Sequence, residues 1–159
     1  MHPEVADWPA RYFYGGKLNN GDHGRHIGLT PYIVLDVVGD TVQADGACWN
    51  KREEKVAVAA IEAFKSVAKN ELEIGVITFY AKQKMNLIQE MMKRRMSRVS
   101  VNTVDGFQGS ERDVIIISCV RSGGGSIGFL QDKQRLNVAL TRAKHCLVLI
   151  GDIAALRYE

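Results

Sequence analysis

The chain has 159 residues, 46% of them apolar, with 21 basic and 18 acidic side chains and a net charge of +3. That length suits a single domain with a core of its own, and so mild a charge permits a polyanionic partner without arguing for one. No apolar run approaches the ~18 residues that cross a bilayer, and the start of the chain lacks the basic region and apolar core of a signal peptide, so no membrane partner is expected. The cysteines, Cys48, Cys119 and Cys146, have neither metal-ligand spacing nor a pairing pattern. Zinc needs closely spaced ligand pairs, so no metal site is expected. Free thiols suit a reducing compartment, hence an intracellular location, cytoplasmic or nuclear.

Residues 4–14 place Val5, Trp8 and Tyr12 at helical spacing, and Gly15-Gly16 ends that helix. Residues 17–32 are polar and irregular. Residues 33–38 are a short strand stopped by Gly39-Asp40. A helix follows over 50–69, with Val56, Ala60, Phe64 and Val67 on its apolar face, Asn50 as N-cap and Glu53 at the capping-box position. Residues 74–79 form an apolar strand of the buried kind. The next helix, 82–96, is expected to bury Met85, Ile88 and Met92, with Leu87 and Met91 beside them. Strands over 99–104 and 113–120, a helix over 135–144 and a strand over 145–150 complete the chain. Apolar strands alternating with helices indicate a parallel sheet covered on both faces, a three-layer α/β domain.

Between residues 101 and 144 two strand-like pieces bracket a polar turn, and a helix carrying Arg135 and Arg142 follows. In the turn, Gly106 and Gly109 allow close backbone approach to a ligand. Gln108 and Glu111 offer acceptors, and Thr103 a phosphate donor. The alternative is an ordinary turn closed by the Asp105 side chain. Arg135 and Arg142, seven apart, line one flank of the helix, either as solvated groups or as anion contacts. The glycines at 123–125 lack the Lys-Ser or Lys-Thr of a P-loop and read as a surface connection, and no Walker A pattern occurs anywhere. Lys82, Lys84, Lys93, Arg94, Arg95 and Arg98 form either a solvated face or a track for a nucleic-acid backbone. His2, His23, His26 and His145 show no catalytic or metal spacing.

Four blocks then resemble, in order, the second RecA-like lobe of superfamily 1B helicases of the Upf and senataxin type. Met1-His2-Pro3 with Phe13, Tyr14, Gly16 and Leu18 is similar to the tail of the Q-Y-R-M-H-P block. Residues 74–80 with Gln83 resemble motif IV. Thr103-Val104-Asp105 with Phe107-Gln108-Gly109 and Glu111 resembles motif V. Residues 135–143 resemble motif VI. Phe79 stands where many relatives have Pro. Asn50 and Glu53 also match a family N-x-x-E pattern.

The resemblance implies a RecA-like fold of the P-loop NTPase superfamily and half of an ATP-dependent helicase. Arg142 would be the arginine finger at the γ-phosphate, with Arg135 a helper nearby. Gln108, Gly109 and Glu111 would face the nucleotide. Thr78, Tyr80, Thr103 and Val104 would touch single-stranded RNA or DNA. ATP and Mg2+ are implied, the metal held mainly by a first lobe absent from this chain. Residues 1–159 would be one lobe of a longer protein, and this chain alone would not hydrolyse ATP. The alternative is a helicase-like module that binds nucleic acid or protein without hydrolysis.

Overall fold

Val114-Ile115-Ile116-Ile117 is apolar at every position because the strand it forms is covered on both sides. In the computed structural model, which describes residues 1–18, 28–39, 41–68, 72–122 and 128–157, this strand is β6 (Arg112–Ser118). It lies in a sheet with β1 (Tyr32–Asp36), β4 (Ile74–Thr78), β5 (Val99–Thr103) and β7 (Ala143–Gly151), in the order β1-β7-β6-β4-β5, every pair parallel. Val114 and Ile116 pack with Ala57 and Ile61 of α2 (Lys51–Val67) and Leu87 and Met91 of α3 (Ala81–Lys93). Ile115 and Ile117 pack with Val5 of α1 (Pro3–Tyr14) and Ala139 and Leu140 of α4 (Lys133–Leu140). Each fully buried isoleucine contributes roughly 1.5–3 kcal/mol, and alternate faces of one strand thereby hold three layers together. Among the described residues no helix is long and apolar enough to cross a membrane.

The link from β5 to β6 carries no full helix. It leaves edge strand β5, passes over β4 and enters β6, with a 3-10 turn at Asp105–Phe107. Phe107 covers that part of the sheet, and it fits because residue 75 is glycine. A Cβ there would meet the Phe107 ring at 2.8 Å and Ile115 Cδ1 at 2.8 Å.

Several expectations shift. The helix expected to bury Met85 and Met92 leaves them 55% and 74% exposed. Its buried stripe is Gln83, Leu87 and Met91, four residues apart, because α3 is rotated to present Gln83 to polar groups beneath it. The helix expected over 135–144 is α4, which stops at Leu140. Thr141 Oγ1 donates to Asn137 O and Val138 O, 2.8 and 3.2 Å, which occupies the terminal carbonyls, and β7 pairing begins at Ala143. Arg142 therefore lies in the connection, not on the helix. Val104 is helical in conformation and ends β5 at Thr103. An antiparallel hairpin, β2 (Thr41–Ala44) and β3 (Ala47–Asn50), and a short α5 (Ile153–Leu156) were not anticipated. The hairpin turns at Asp45-Gly46, with φ of 50° and 75°, the residue pair that two-residue turns favour. His23, His26, Lys69 and residues 123–127 lie outside the described residues.

Candidate functional site: two ends of one sheet

At the end of the sheet where β6 and β7 begin, the polar turn and Arg142 meet. Ser110 N donates to Phe107 O at 3.0 Å, and Gly109 takes φ +78°. Gln108, Gly109 and Glu111 are all exposed. Arg112 anchors the turn: Nη1 donates to Glu111 O at 2.7 Å, Nε to Ser100 Oγ at 3.2 Å, and the guanidinium lies 5.9 Å from the Phe107 ring centre. Arg112 N donates to Arg142 O at 3.1 Å, tying the turn to the α4–β7 connection. The Arg142 side chain is half-buried; Nε donates to Val138 O at 3.1 Å and Nη2 to Thr141 Oγ1 at 3.0 Å. Among the described residues no carboxylate pairs with it. A guanidinium steered by two neutral acceptors keeps its full charge for an anion.

Arg135 does not join this group. It sits in the first turn of α4, where Nη2 meets Asp105 Oδ2 at 3.0 Å and Nε lies 3.8 Å from Asp132 Oδ2. Arg142 lies past the other end of that helix, beyond Thr141.

The opposite end, where the strands finish, gathers Thr78, Tyr80, Thr103 and Val104. Thr78 pairs in register with both Thr103 and Ser118. Thr78 is fully buried, and its hydroxyl makes no hydrogen bond among the described residues. Val104 is buried and its N–H donates to Thr78 O at 3.2 Å. Of the four, only Thr103 is half-buried; Thr78, Tyr80 and Val104 are buried.

Beneath this end runs a buried polar network. Asn50 caps α2, its Oδ1 accepting from Arg52 N and Glu53 N at 3.0 and 3.1 Å. Glu53 does not close a capping box. The Asn50 N–H is taken instead by Gln83 Oε1 at 2.9 Å, and Gln83 Nε2 donates to Asn50 O and Ser118 Oγ at 3.2 and 3.0 Å. Glu53 Oε2 accepts from Ser118 Oγ at 2.7 Å and Val120 N at 2.9 Å. Burial pushes the Glu53 carboxyl up to about 7 against those hydrogen bonds, with Asp152 pushing the same way. The sequence offered Asn50 and Glu53 as a cap and as an N-x-x-E pattern, and Gln83 as part of motif IV, without joining them.

The basic run of α3 does not form one track. Lys82 lies 5.8 Å from the Trp49 ring centre and Lys84 Nζ donates to Asn102 Oδ1 at 2.8 Å, both near the strands' finish. Lys93 and Arg94 pair with Glu90, and Arg94 also with Glu62, at the other end of the helix.

Comparison with known proteins places the chain in a family. The family model described as AAA domain matches residues 1–154. Human "Probable helicase senataxin" is 35% identical over 169 residues, covering 98% of this chain and 6% of that protein. The Neurospora crassa "Regulator of nonsense transcripts 1 homolog" is 38% identical over 173 residues, covering 96% of this chain and 16% of the relative. "Helicase sen1" of Schizosaccharomyces pombe is 35% identical over 177 residues, covering 100% of this chain and 10% of its own length. The chain thus spans between 6% and 16% of these three relatives. Among solved structures, the C-terminal domain of a possible DNA helicase from Lactobacillus plantarum matches with a TM-score of 0.58 at 13% identity, covering 95% of this chain and 85% of that one. That likeness shows the fold, a RecA-like α/β domain.

Proposed function

The chain belongs to the AAA-domain family of superfamily 1B, Upf-type helicases as a second RecA-like lobe, and from that premise we propose that it is half of an ATP-dependent motor on single-stranded nucleic acid. ATP is bound between the end where β6 and β7 begin and a first lobe carrying the Walker A loop. Arg142 reaches the γ-phosphate, and Gln108, Gly109 and Glu111 meet the rest of the nucleotide. The observation that carries this is the Arg142 guanidinium, free of any carboxylate among the described residues, tied by its own main chain to an exposed polar turn. Such a group stabilises charge that grows on a phosphoryl in transfer. Mg2+ falls mainly to the first lobe. Thr103, at the opposite end, faces the strand, whereas Thr78, Tyr80 and Val104 are buried there. Arg135, held by Asp105, braces the crossover that carries the turn.

The test joins this lobe to a first lobe and measures nucleic-acid-stimulated ATP turnover and strand binding on the same samples. Arg142→Ala should lose on the order of 10³-fold in turnover and keep strand affinity. Arg142→Lys should restore little, since a point charge does not replace a planar fork of donors. Wild-type turnover in a well-folded Arg142→Ala protein removes the proposal and favours a module that binds without hydrolysis. This chain alone, without a P-loop, should show no turnover.

A further inference from the structure

Past Ser118 the backbone makes a turn few residues tolerate. Val120 has φ +72°, a genuine outlier for a β-branched side chain. Arg121 N donates to Cys119 O at 2.9 Å, so Val120 centres a three-residue γ-turn of the rare, strained hand. Both main-chain polar groups of Val120 are held from outside. Its N–H donates to Glu53 Oε2 at 2.9 Å; its carbonyl accepts from Asn50 Nδ2 at 3.2 Å and Thr41 Oγ1 at 2.6 Å. Ser122 N donates back to Thr41 Oγ1 at 2.9 Å. Groups from α2, its cap and the hairpin thus hold in place a conformation that costs roughly 1–3 kcal/mol.

The turn fixes the position of Arg121. Its guanidinium lies 5.6 Å from the Tyr80 ring centre, and Nε donates to the Tyr80 hydroxyl at 2.9 Å. That bond and the stacking leave the two terminal nitrogens without a hydrogen bond among the described residues, and no carboxylate pairs with the group. The side chain is half-buried. A half-desolvated guanidinium lacking an anion, with its forked end open and its stem fixed, is arranged for an oxyanion that arrives from outside.

We propose that Arg121 binds a backbone phosphate of the single strand, and that the Val120 turn, held by Glu53, Asn50 and Thr41, is the device that aims it. This rests on the strand lying along the end where β4, β5 and β6 finish. The shared chemistry is the phosphodiester, of RNA or DNA. The planar fork suits two phosphate oxygens, while the face turned to Tyr80 is unavailable to a base.

The experiment titrates the 159-residue chain with fluorescent oligo-U and oligo-dT across a salt series, with melting temperatures on the same samples. Arg121→Gln should lower the slope of log affinity against log salt by about 0.7, the share of one phosphate contact on a single strand. Arg121→Lys should keep that slope and bind more weakly, because it keeps the charge and loses the fork. Lys55→Gln, an exposed charge on α2, should change neither. Val120→Gly takes positive φ without strain but empties a fully buried core position, so it should melt lower and, measured on the folded protein, bind several-fold more weakly, since the aim of Arg121 is loosened. A wild-type slope in folded Arg121→Gln overturns the proposal while strand binding itself stands. A wild-type chain that binds neither oligonucleotide removes the strand reading and this contact with it. Different slopes for the two oligonucleotides in Arg121→Gln would assign the contact to the one that loses it.

Discussion

The two ends of the sheet are built on opposite plans. Where the strands finish, Asn50, Glu53, Gln83 and Ser118 are buried and bonded to one another, with Glu53 Oε1 and the Thr78 hydroxyl left without a partner among the described residues, and a strained Val120 is pinned among them. Where β6 and β7 begin, Gln108, Gly109 and Glu111 are exposed, and the turn is held by main-chain bonds and the Arg112 anchor. A buried polar network is rigid because each unmet group is costly. An exposed turn costs nothing when left without partners. One end is thus bonded mostly within this chain, and the other leaves its polar side chains exposed. The difference can be broken or sharpened by asking which end stability depends on.

The largest expected effect on stability is tied to Glu53. Its carboxyl titrates at about 7 when folded, against an ordinary value of 4.5. Between those values the folded chain holds a proton that the unfolded chain has released, so this group's contribution is fully present below pH 4.5 and is lost as pH rises through 7. The span corresponds to something on the order of 3 kcal/mol. Glu53→Gln cannot titrate, so its unfolding free energy, followed by denaturant titration from pH 5 to 8, should be flatter than wild type by a large part of that amount. Parallel curves for the two proteins would mean that the finish end is not the closed, desolvated network described.

Asn50→Ala comes next. It removes two cap bonds to α2 and the bond to Val120 O, and should lower stability by about 2 kcal/mol, near the upper range for caps. Gly75→Ala follows at roughly 1–2 kcal/mol, because a new Cβ must push aside the Phe107 ring. It also links the two ends, since Phe107 leads into Gln108. In a two-lobed protein, Gly75→Ala should reduce turnover more than strand binding. Chemical denaturation reads the first quantity, and paired ATPase and binding assays the second.

How much of this was readable beforehand follows the range of the interactions. The strands at Ile74 and Val114 and the helix capped by Asn50 were legible because period and cap chemistry are local. Arg142 and the polar turn were legible as a pair through motif resemblance, and the geometry joins them through Arg112. The helical flank shared by Arg135 and Arg142 was not real, because Thr141 closes the helix first. The face of α3 was misassigned because hydrophobicity favoured Met85 and Met92, while the helix turns Gln83 inward to partners 33 and 35 residues away. Glu53 looked like a local cap and instead bonds Ser118, 65 residues on. No window of sequence holds both members of such a pair.

The smallest expected effect is the sharpest check on the comparison. Glu111 is exposed, and among the described residues only its main-chain carbonyl is bonded by a side chain, that of Arg112 through Nη1. Glu111→Gln keeps that carbonyl and the side-chain shape while removing a charge. In the 159-residue chain its unfolding free energy should lie within about 0.5 kcal/mol of wild type, as for a surface substitution that breaks no network. Gln108→Ala should behave the same way. Joined to a first lobe, Glu111→Gln should weaken nucleotide use several-fold in KM with a lesser effect on kcat, because a group that binds nucleotide equally before and during transfer adds affinity and not rate. Arg142→Ala should show the reverse split. If Glu111→Gln instead destabilises the chain by more than about 1 kcal/mol, the start of β6 is structural in its own right. The contrast between a finished end and an open one would then be lost, whatever the turnover assay reports.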